Sequence, residues 1–286
     1  MPSFSQPLRQ PLRQYTFRTA RVIDVSETTA SQGALIILYG NSGVGKTTTA
    51  AKIALLPEWR PCLIIDAEAG AKAVAHMKDI VKVAPMHSWP EISEAVDIIY
   101  NAPNQEELVY KLFIFDNLTQ MEYLCIEHHK ATDPRGPQRH AELQHYGRAK
   151  TDITEVVNKL RDAAEKKRII IILNAWQKPE LNATLNITKN EINLIPSLTA
   201  SLPGMVDYVG WLKTGSFGVR ELTFASSRES SAKIRRPPIG PASKIPLDFK
   251  FDVNQNPLGD VINTLIGGLP WPETNKQNAG VSSSNQ

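Results

Sequence analysis

Eight consecutive residues, Gly40-Asn41-Ser42-Gly43-Val44-Gly45-Lys46-Thr47, have the types and spacing needed to hold a chain of phosphates. They match the pattern G-x-x-x-x-G-K-[ST], in which glycines let the backbone wrap closely enough for its N–H groups to face phosphate oxygens. Lys46 is placed to reach the β- and γ-phosphates, the Thr47 hydroxyl to ligate Mg²⁺, and Thr48 to continue the cradle. Such a pattern is informative only with a buried strand before it and a helix after it. Both are legible. Residues 34–39 form an unbroken apolar run, and 46–56 read as a helix that Pro57 stops. A second candidate group is Asp116, which closes the apolar run 112–115. An acid at the carboxyl end of a buried parallel strand sits where open α/β sheets bind ligands, and there it would hold Mg²⁺ through water. Its alternative role is to cap the next helix. Asn117, not an acid, follows it. The group that orients an attacking water must come from elsewhere, with Glu68 and Asp66 as candidates.

The elements that must position these residues alternate. Apolar runs at 62–65, 111–115 and 169–173 end in Asp66-Ala67-Glu68-Ala69-Gly70, Asp116-Asn117 and Asn174, with helical patterns at 91–100 and 151–166 between them. Alternating strands and helices imply a parallel sheet covered on both faces. After Gly204, the runs 206–212 and 219–225 read as strands without long helices between them, an antiparallel extension of the sheet. Residues 1–32 read as an N-terminal arm serving oligomerisation, 33–270 as the core and 271–286 as a disordered tail. With 42% hydrophobic and 21% charged residues, the 286-residue chain can bury a core, which argues against disorder. A net charge of +3 is too small for bulk attraction to nucleic acid, so any basic surface must be local. Two distant cysteines, Cys62 and Cys125, fit a reducing cytoplasm. No apolar run approaches a membrane span and no secretory signal is visible, so cytoplasmic work is expected.

In this order, the motifs resemble those of RecA-like ATPases. In that family the strand after the P-loop helix ends in an aspartate-alanine-glutamate pattern, matched by Leu63-Ile64-Ile65-Asp66-Ala67-Glu68, and its glutamate is the catalytic base. The resemblance therefore favours Glu68 over Asp66. More narrowly, residues 33–236 resemble phage-encoded ATPases of the single-strand-annealing (Sak) type, often described as AAA-family nucleotide-binding proteins. Trp89 opening an acidic helix, Ile114-Phe115-Asp116-Asn117-Leu118-Thr119, Pro203-Gly204-Met205-Val206-Asp207-Tyr208-Val209 and Ala232-Lys233-Ile234-Arg235 carry that likeness. It implies a RecA-like P-loop NTPase core with a mainly parallel central sheet flanked by helices and an antiparallel C-terminal extension. It also implies that Lys233 and Arg235 reach a neighbouring subunit's ATP in a ring or filament, where a cation near the γ-phosphate stabilises transition-state charge. The family's γ-phosphate sensor, a glutamine, is replaced here by Asn174-Ala175-Trp176-Gln177. Asn174 is the favoured substitute, with Gln177 as the alternative. Phe17-Arg18-Thr19-Ala20 resembles a hook between recombinase subunits.

In RecA-like recombinases, loops after the aspartate-bearing strand and after the fourth strand contact single-stranded DNA. Residues 126–150 hold Lys130, Arg135, Arg139, Tyr146, Arg148 and Lys150, a basic, flexible stretch broken by prolines and suited to backbone binding and base stacking. The histidines there, taken with Cys125, match no standard zinc spacing. Segment 177–203 lies where the second DNA loop would be and could equally be a hairpin insertion. The expected cofactors are ATP and Mg²⁺, since no guanine-reading Asn-Lys-x-Asp pattern occurs. The expected activity is an ATPase stimulated by single-stranded DNA and serving phage recombination by annealing or strand pairing. Expected partners are single-stranded DNA, further copies of the chain and a single-strand DNA-binding protein, in the bacterial host cytoplasm if the chain is phage-encoded. The alternatives are a motor or loader ATPase that recruits a partner to DNA, and a nucleotide-gated scaffold with little turnover.

Overall fold

A run such as Ala34–Gly40, apolar at nearly every position, can satisfy its backbone only between two other strands, with helices covering both faces. The computed structural model, described over residues 33–265 apart from 105, 183–186, 216–217, 229, 235–247 and 253, places it that way. The 1–32 arm with its Phe17-Arg18-Thr19-Ala20 hook, the 271–286 tail and Arg235 lie outside the described residues. In chain order the elements are β1 (Ala34–Gly40), α1 (Lys46–Ala51), β2 (Cys62–Asp66), β3 (Val81–Pro85), α2 (Trp89–Asn101), β4 (Leu112–Asp116), α3 (Leu118–Ala131) and α4 (Leu143–Lys167). They continue with β5 (Ile170–Asn182), β6 (Ile187–Ile192), α5 (Pro196–Met205), β7 (Tyr208–Thr214), β8 (Arg220–Thr223), β9 (Lys233–Ile234), β10 (Asp248–Phe251) and α6 (Pro257–Leu265).

The strands lie in the order β10-β8-β7-β1-β5-β4-β2-β3. From β7 to β3 all neighbours are parallel. Strand β8 runs antiparallel to β7, β10 antiparallel to β8, and β9 pairs antiparallel with the outer edge of β7. This is the mainly parallel sheet with an antiparallel C-terminal extension that the sequence predicts. Alternate residues of β1 serve two cores. Leu35, Ile37 and Tyr39 pack in a cluster with residues of α2 to α5, while Ala34, Ile36 and Leu38 share a cluster with residues of α1 and α6.

Two features differ from the sequence reading, and a third decides between its alternatives. Strand β3 was not anticipated; only its first residue, Val81, is buried, so it carries little apolar signal. Segment 177–203 is a hairpin followed by a helix: β5 continues past the sheet, and its outer half, Gln177–Asn182, pairs antiparallel with β6. The 126–150 stretch is mostly helical, because α3 runs to Ala131 and α4 begins at Leu143. The prolines interrupt only the turn between them. There the buried Asp133 carboxylate meets His145 Nε2 at 2.8 Å and the Arg135 guanidinium at 3.0 Å, while His145 Nδ1 accepts the Glu142 N–H at 2.8 Å. The turn is a folded hub that starts α4 two turns earlier than its apolar periodicity suggests.

One buried carboxylate ties the end of the hairpin to the sheet's helical cover. Both oxygens of Glu122 on α3 accept the Ile195 N–H, at 2.9 and 3.1 Å, just before α5 begins at Pro196. Burial pushes the Glu122 carboxyl up to about 7, against the opposing pull of the Ile195 N–H and Lys178. With its pKa raised on folding, the native state holds this proton across a window in which the unfolded chain, with an ordinary carboxyl near ~4.3, has lost it. Stability should therefore fall as pH rises from about 4.5 to about 7, by at most about 1.4 kcal/mol per pH unit for one proton. Urea unfolding at several pH values should show Glu122→Gln losing this part of the slope. An identical slope in both proteins would exclude Glu122 as its source.

Candidate active site

The site is assembled at the carboxyl ends of β1, β2 and β4 and beside the middle of β5. Register places Asp66 beside Asp116, Phe115 beside Leu173 and Leu38 beside Asn174, so three polar side chains emerge at one level of the sheet. From β1 the chain enters the loop 41–45. Gly43 and Gly45 adopt positive φ values of 75° and 99°, the left-handed region that favours glycine. Gly45 then caps α1, leaving the backbone N–H groups of its first turn free to face an anion. Lys46 is buried, and its ammonium donates to the carbonyls of Gly40 at 3.1 Å and Asn41 at 2.9 Å. Desolvation lowers its pKa, while Asp116 and Glu68 act in the opposite direction.

Asp116 is 2% exposed. The Thr47 hydroxyl donates to its Oδ2 at 2.6 Å, and the Asn174 amide donates to Oδ1 at 3.1 Å. Burial raises its pKa, and these two hydrogen bonds pull it back. Three observations bear on whether Mg²⁺ and a triphosphate fit. The hydroxyl and carboxylate converge as hard oxygen donors. The buried Asn174 Oδ1 has no donor among the described residues, so it can accept from a water of a hydrated ion. Gly70 borders the same space: a Cβ there would fall 3.2 Å from Asp116 Oδ2 and 3.9 Å from Thr47 Oγ1, crowding the place an ion needs. The residues fit both groups.

Asp66 and Glu68 have different surroundings. The Asp66 carboxylate accepts the N–H groups of Glu68 at 3.1 Å, Gly70 at 3.1 Å and Ala71 at 3.0 Å, which shapes the turn after β2. Glu68 is exposed on one side, and its Oε2 accepts the Asn117 amide. The Trp176 side chain lies near enough to help lower its pKa, and the Trp176 backbone N–H donates to Thr119 Oγ1 at 3.1 Å. Desolvation, then Asp116, raises the Glu68 pKa, while Asn117, Lys46 and Trp176 counter the rise. Asn117 works with both ends of its amide, since its oxygen caps α3 by accepting the Gln120 N–H at 2.8 Å.

Other expected site residues lie elsewhere. Gln177 bridges Trp211 Nε1 at 2.8 Å and Asn190 at 3.2 Å, within the strands beyond the site. Lys233 pairs with Val209, which pairs with Ile37 in turn; it therefore sits two strands from β1 and about 10 Å below Gly40 along it. Its ammonium donates to the Pro203 carbonyl at 2.6 Å. Lys130 is paired with Glu127 at 2.8 Å, and Arg135 with Asp133 and Glu142. Arg139, Tyr146, Arg148 and Lys150 are exposed on the 132–142 turn and the first turns of α4.

Two residues at the site escaped the sequence reading. Trp176 was noted only as a neighbour of sensor candidates. Arg220, the first residue of β8, donates from Nε to the Val44 carbonyl at 2.8 Å. Its guanidinium occupies the space a side chain at position 45 would need: a Cβ there would fall 3.0 Å from Nε and 3.2 Å from Nη2. Among the described residues no carboxylate pairs with it. No local pattern distinguishes such an arginine from any polar residue at a strand end.

Residues 32–236 match the model of the AAA domain family. No curated protein matches the chain. Among solved structures, that of the RadB recombinase is similar at 15% identity and a TM-score of 0.44, covering 68% of this chain and 81% of that one.

Arg220 holds the phosphate loop from behind, so Arg220→Ala should loosen the cradle without touching the strand-end carboxylates. ATP affinity, followed by calorimetry, is expected to fall about 5- to 30-fold, the equivalent of about 1–2 kcal/mol. Arg220→Lys should restore little, because an ammonium lacks the planar fork. Unchanged affinity in Arg220→Ala would remove it from the site.

Proposed function

Because the chain belongs to the AAA domain family, with a phosphate loop on a mainly parallel sheet, we propose that it is a RecA-like ATPase that acts on single-stranded DNA in phage recombination, by annealing or strand pairing. The observation that carries the ATPase reading is Glu68, held by the Asn117 amide with Trp176 nearby, beside the Thr47–Asp116 pair. A carboxylate whose orientation is set by an amide donor and which is open on one side suits a general base for water attack on a γ-phosphate.

In this reading the loop 41–48 binds the phosphates through backbone N–H groups, and the Lys46 ammonium leaves the Gly40 and Asn41 carbonyls for the β- and γ-oxygens. Thr47 and Asp116 would hold Mg²⁺, Asp116 through water, with Asn174 orienting that water. The ion, when bound, neutralises charge on the β- and γ-phosphate oxygens. Glu68 accepts the proton of the attacking water, and ADP and inorganic phosphate leave. Its raised pKa keeps the base competent only above the ordinary glutamate range, so turnover should fall on the acid side.

Strand β5 supports coupling to DNA. It passes Asn174 and Trp176 at the site and continues as the hairpin with β6, in the region where the resemblance puts a DNA loop. Arg139, Arg148, Lys150 and Tyr146 remain the candidates for phosphate and base contact, since the charges of Lys130 and Arg135 already have partners. Lys233 is too far from its own phosphate loop to serve it, which suits a role towards a neighbouring copy in a ring or filament.

ATP turnover with and without single-stranded DNA tests the proposal. Glu68→Gln should retain ATP binding and lose about 10²- to 10⁴-fold in turnover; normal turnover would exclude it as the base. Lys46→Ala should abolish productive nucleotide binding. Stimulation by DNA should disappear in Glu68→Gln. DNA binding should have a salt dependence that flattens by about two in log–log slope when Arg139, Arg148 and Lys150 are all neutralised. Absence of both stimulation and DNA binding would turn the reading towards a loader or scaffold.

A further inference from the structure

Helix α3 carries a second group of chemically capable side chains, away from the phosphate loop. Cys125 and His129 are one turn apart, so they share a face of the helix. Asp152 reaches them from α4. His129 Nε2 lies 2.9 Å from Asp152 Oδ2, Cys125 Sγ lies 3.9 Å from the same oxygen, and all three ligand atoms lie within 4.8 Å of one another. Among the described residues this is the one group of three such side chains that converges so closely.

A tetrahedral zinc ion, with bonds of roughly 2.0–2.3 Å to oxygen, nitrogen and sulfur, separates its ligand atoms by about 3.3–3.6 Å. The separations found here bracket that value, and small side-chain rotations would equalise them. The thiol is fully buried, whereas the His129 and Asp152 side chains are 13% and 34% exposed. One side of the triangle therefore opens to water.

We propose that Cys125, His129 and Asp152 bind a single Zn²⁺ ion whose fourth ligand is water. The donor set decides the class of metal. A thiolate and an imidazole suit zinc, while the all-oxygen pair Thr47–Asp116 suits Mg²⁺, so the two sites would not compete. On binding, the Cys125 S–H proton passes to solvent as the S–Zn bond forms. His129 gives its Nε2 lone pair, keeping its proton on Nδ1. Burial and the carboxylates of Asp152 and Glu122 raise the thiol pKa, and the same negative surroundings attract a cation. The ion would join α3, which begins next to Asn117, to α4, and so brace the helix that presents the Glu68 clasp. The alternative is a His129–Asp152 ion pair with a bystander thiol.

Full-length, tag-free protein equilibrated with Zn²⁺ and then dialysed should retain about one zinc per chain by elemental analysis. Asp152→Asn, which preserves shape and a hydrogen bond to His129, should weaken zinc affinity tenfold or more. With Co²⁺ as the only metal, the wild-type protein should show thiolate-to-cobalt charge-transfer absorption that Cys125→Ser abolishes. Unchanged ATP binding in each variant reports that the fold is intact. If Cys125→Ser does not fold, the Asp152→Asn affinity decides. Wild-type protein that retains no zinc, lacks the charge-transfer band, or binds zinc as tightly after Asp152→Asn would overturn the proposal.

Discussion

A carboxylate at the end of a strand buried between two others loses its water and must be compensated, because an isolated buried charge costs several kcal/mol. Asp116 meets that demand with a hydroxyl from the phosphate loop and an amide from β5, with no ammonium in direct contact. The arrangement fixes much else. It binds the first turn of α1 to β4 and β4 to β5, and it leaves the buried Asn174 Oδ1 without a donor among the described residues. A side chain larger than hydrogen at position 70 would press on Asp116 Oδ2, so the turn after β2 is shaped by the needs of its neighbour. The Asp66 carboxylate holds that turn from beneath and sends Glu68 towards Asn117.

Legibility in the sequence followed the range of the forces. Strands buried on both faces have unbroken apolar runs, so β1, β2, β4 and the inner half of β5 could be read directly. Strand ends in an α/β sheet are where ligands bind, so Asp116, Asp66 and Glu68 could be named as candidates from position, while the preference for Glu68 and the choice of Asn174 rested on the resemblance to RecA-like ATPases. What could not be read depends on contacts between distant residues. Arg220 reaches the phosphate loop from a strand more than 170 positions later in the chain. The 126–150 stretch looked like a flexible basic loop because its charges were counted singly, whereas Asp133 collects His145, Arg135 and Gln144 into one hydrogen-bonded knot. A charge count sees residue types and not which of them already have partners. Asn117 was visible only as a departure from an acid, although its amide both caps α3 and holds Glu68.

The two faces of the sheet divide the labour. One cluster, under α1 and α6, sits behind the phosphate loop, where Lys52 and Asn256 tie α6 to the turn after α1 through backbone carbonyls. The other, under α2 to α5, takes in Ile192 at the end of β6 and Leu194 just after it. Polar side chains also link the layers. Tyr39 reaches from β1 to the Asn190 carbonyl and receives the Ser231 N–H, linking the phosphate-loop strand to β6 and to the segment leading into β9.

Strand β5 is a single uninterrupted span with two kinds of support. Its inner half is clamped between β1 and β4 by parallel ladders, and its outer half is braced along one edge by β6. The change of support occurs at Trp176 and Gln177, and Gln177 is anchored to both Trp211 and Asn190. In mechanical terms this is a cantilever with its fulcrum beside the candidate base. A small rotation of the peptide at Trp176 would be amplified along the beam, about 3.3 Å of lever arm per residue. The backbone at Asn182, the last residue of β5, would then sweep farther than the peptide at Trp176 turns.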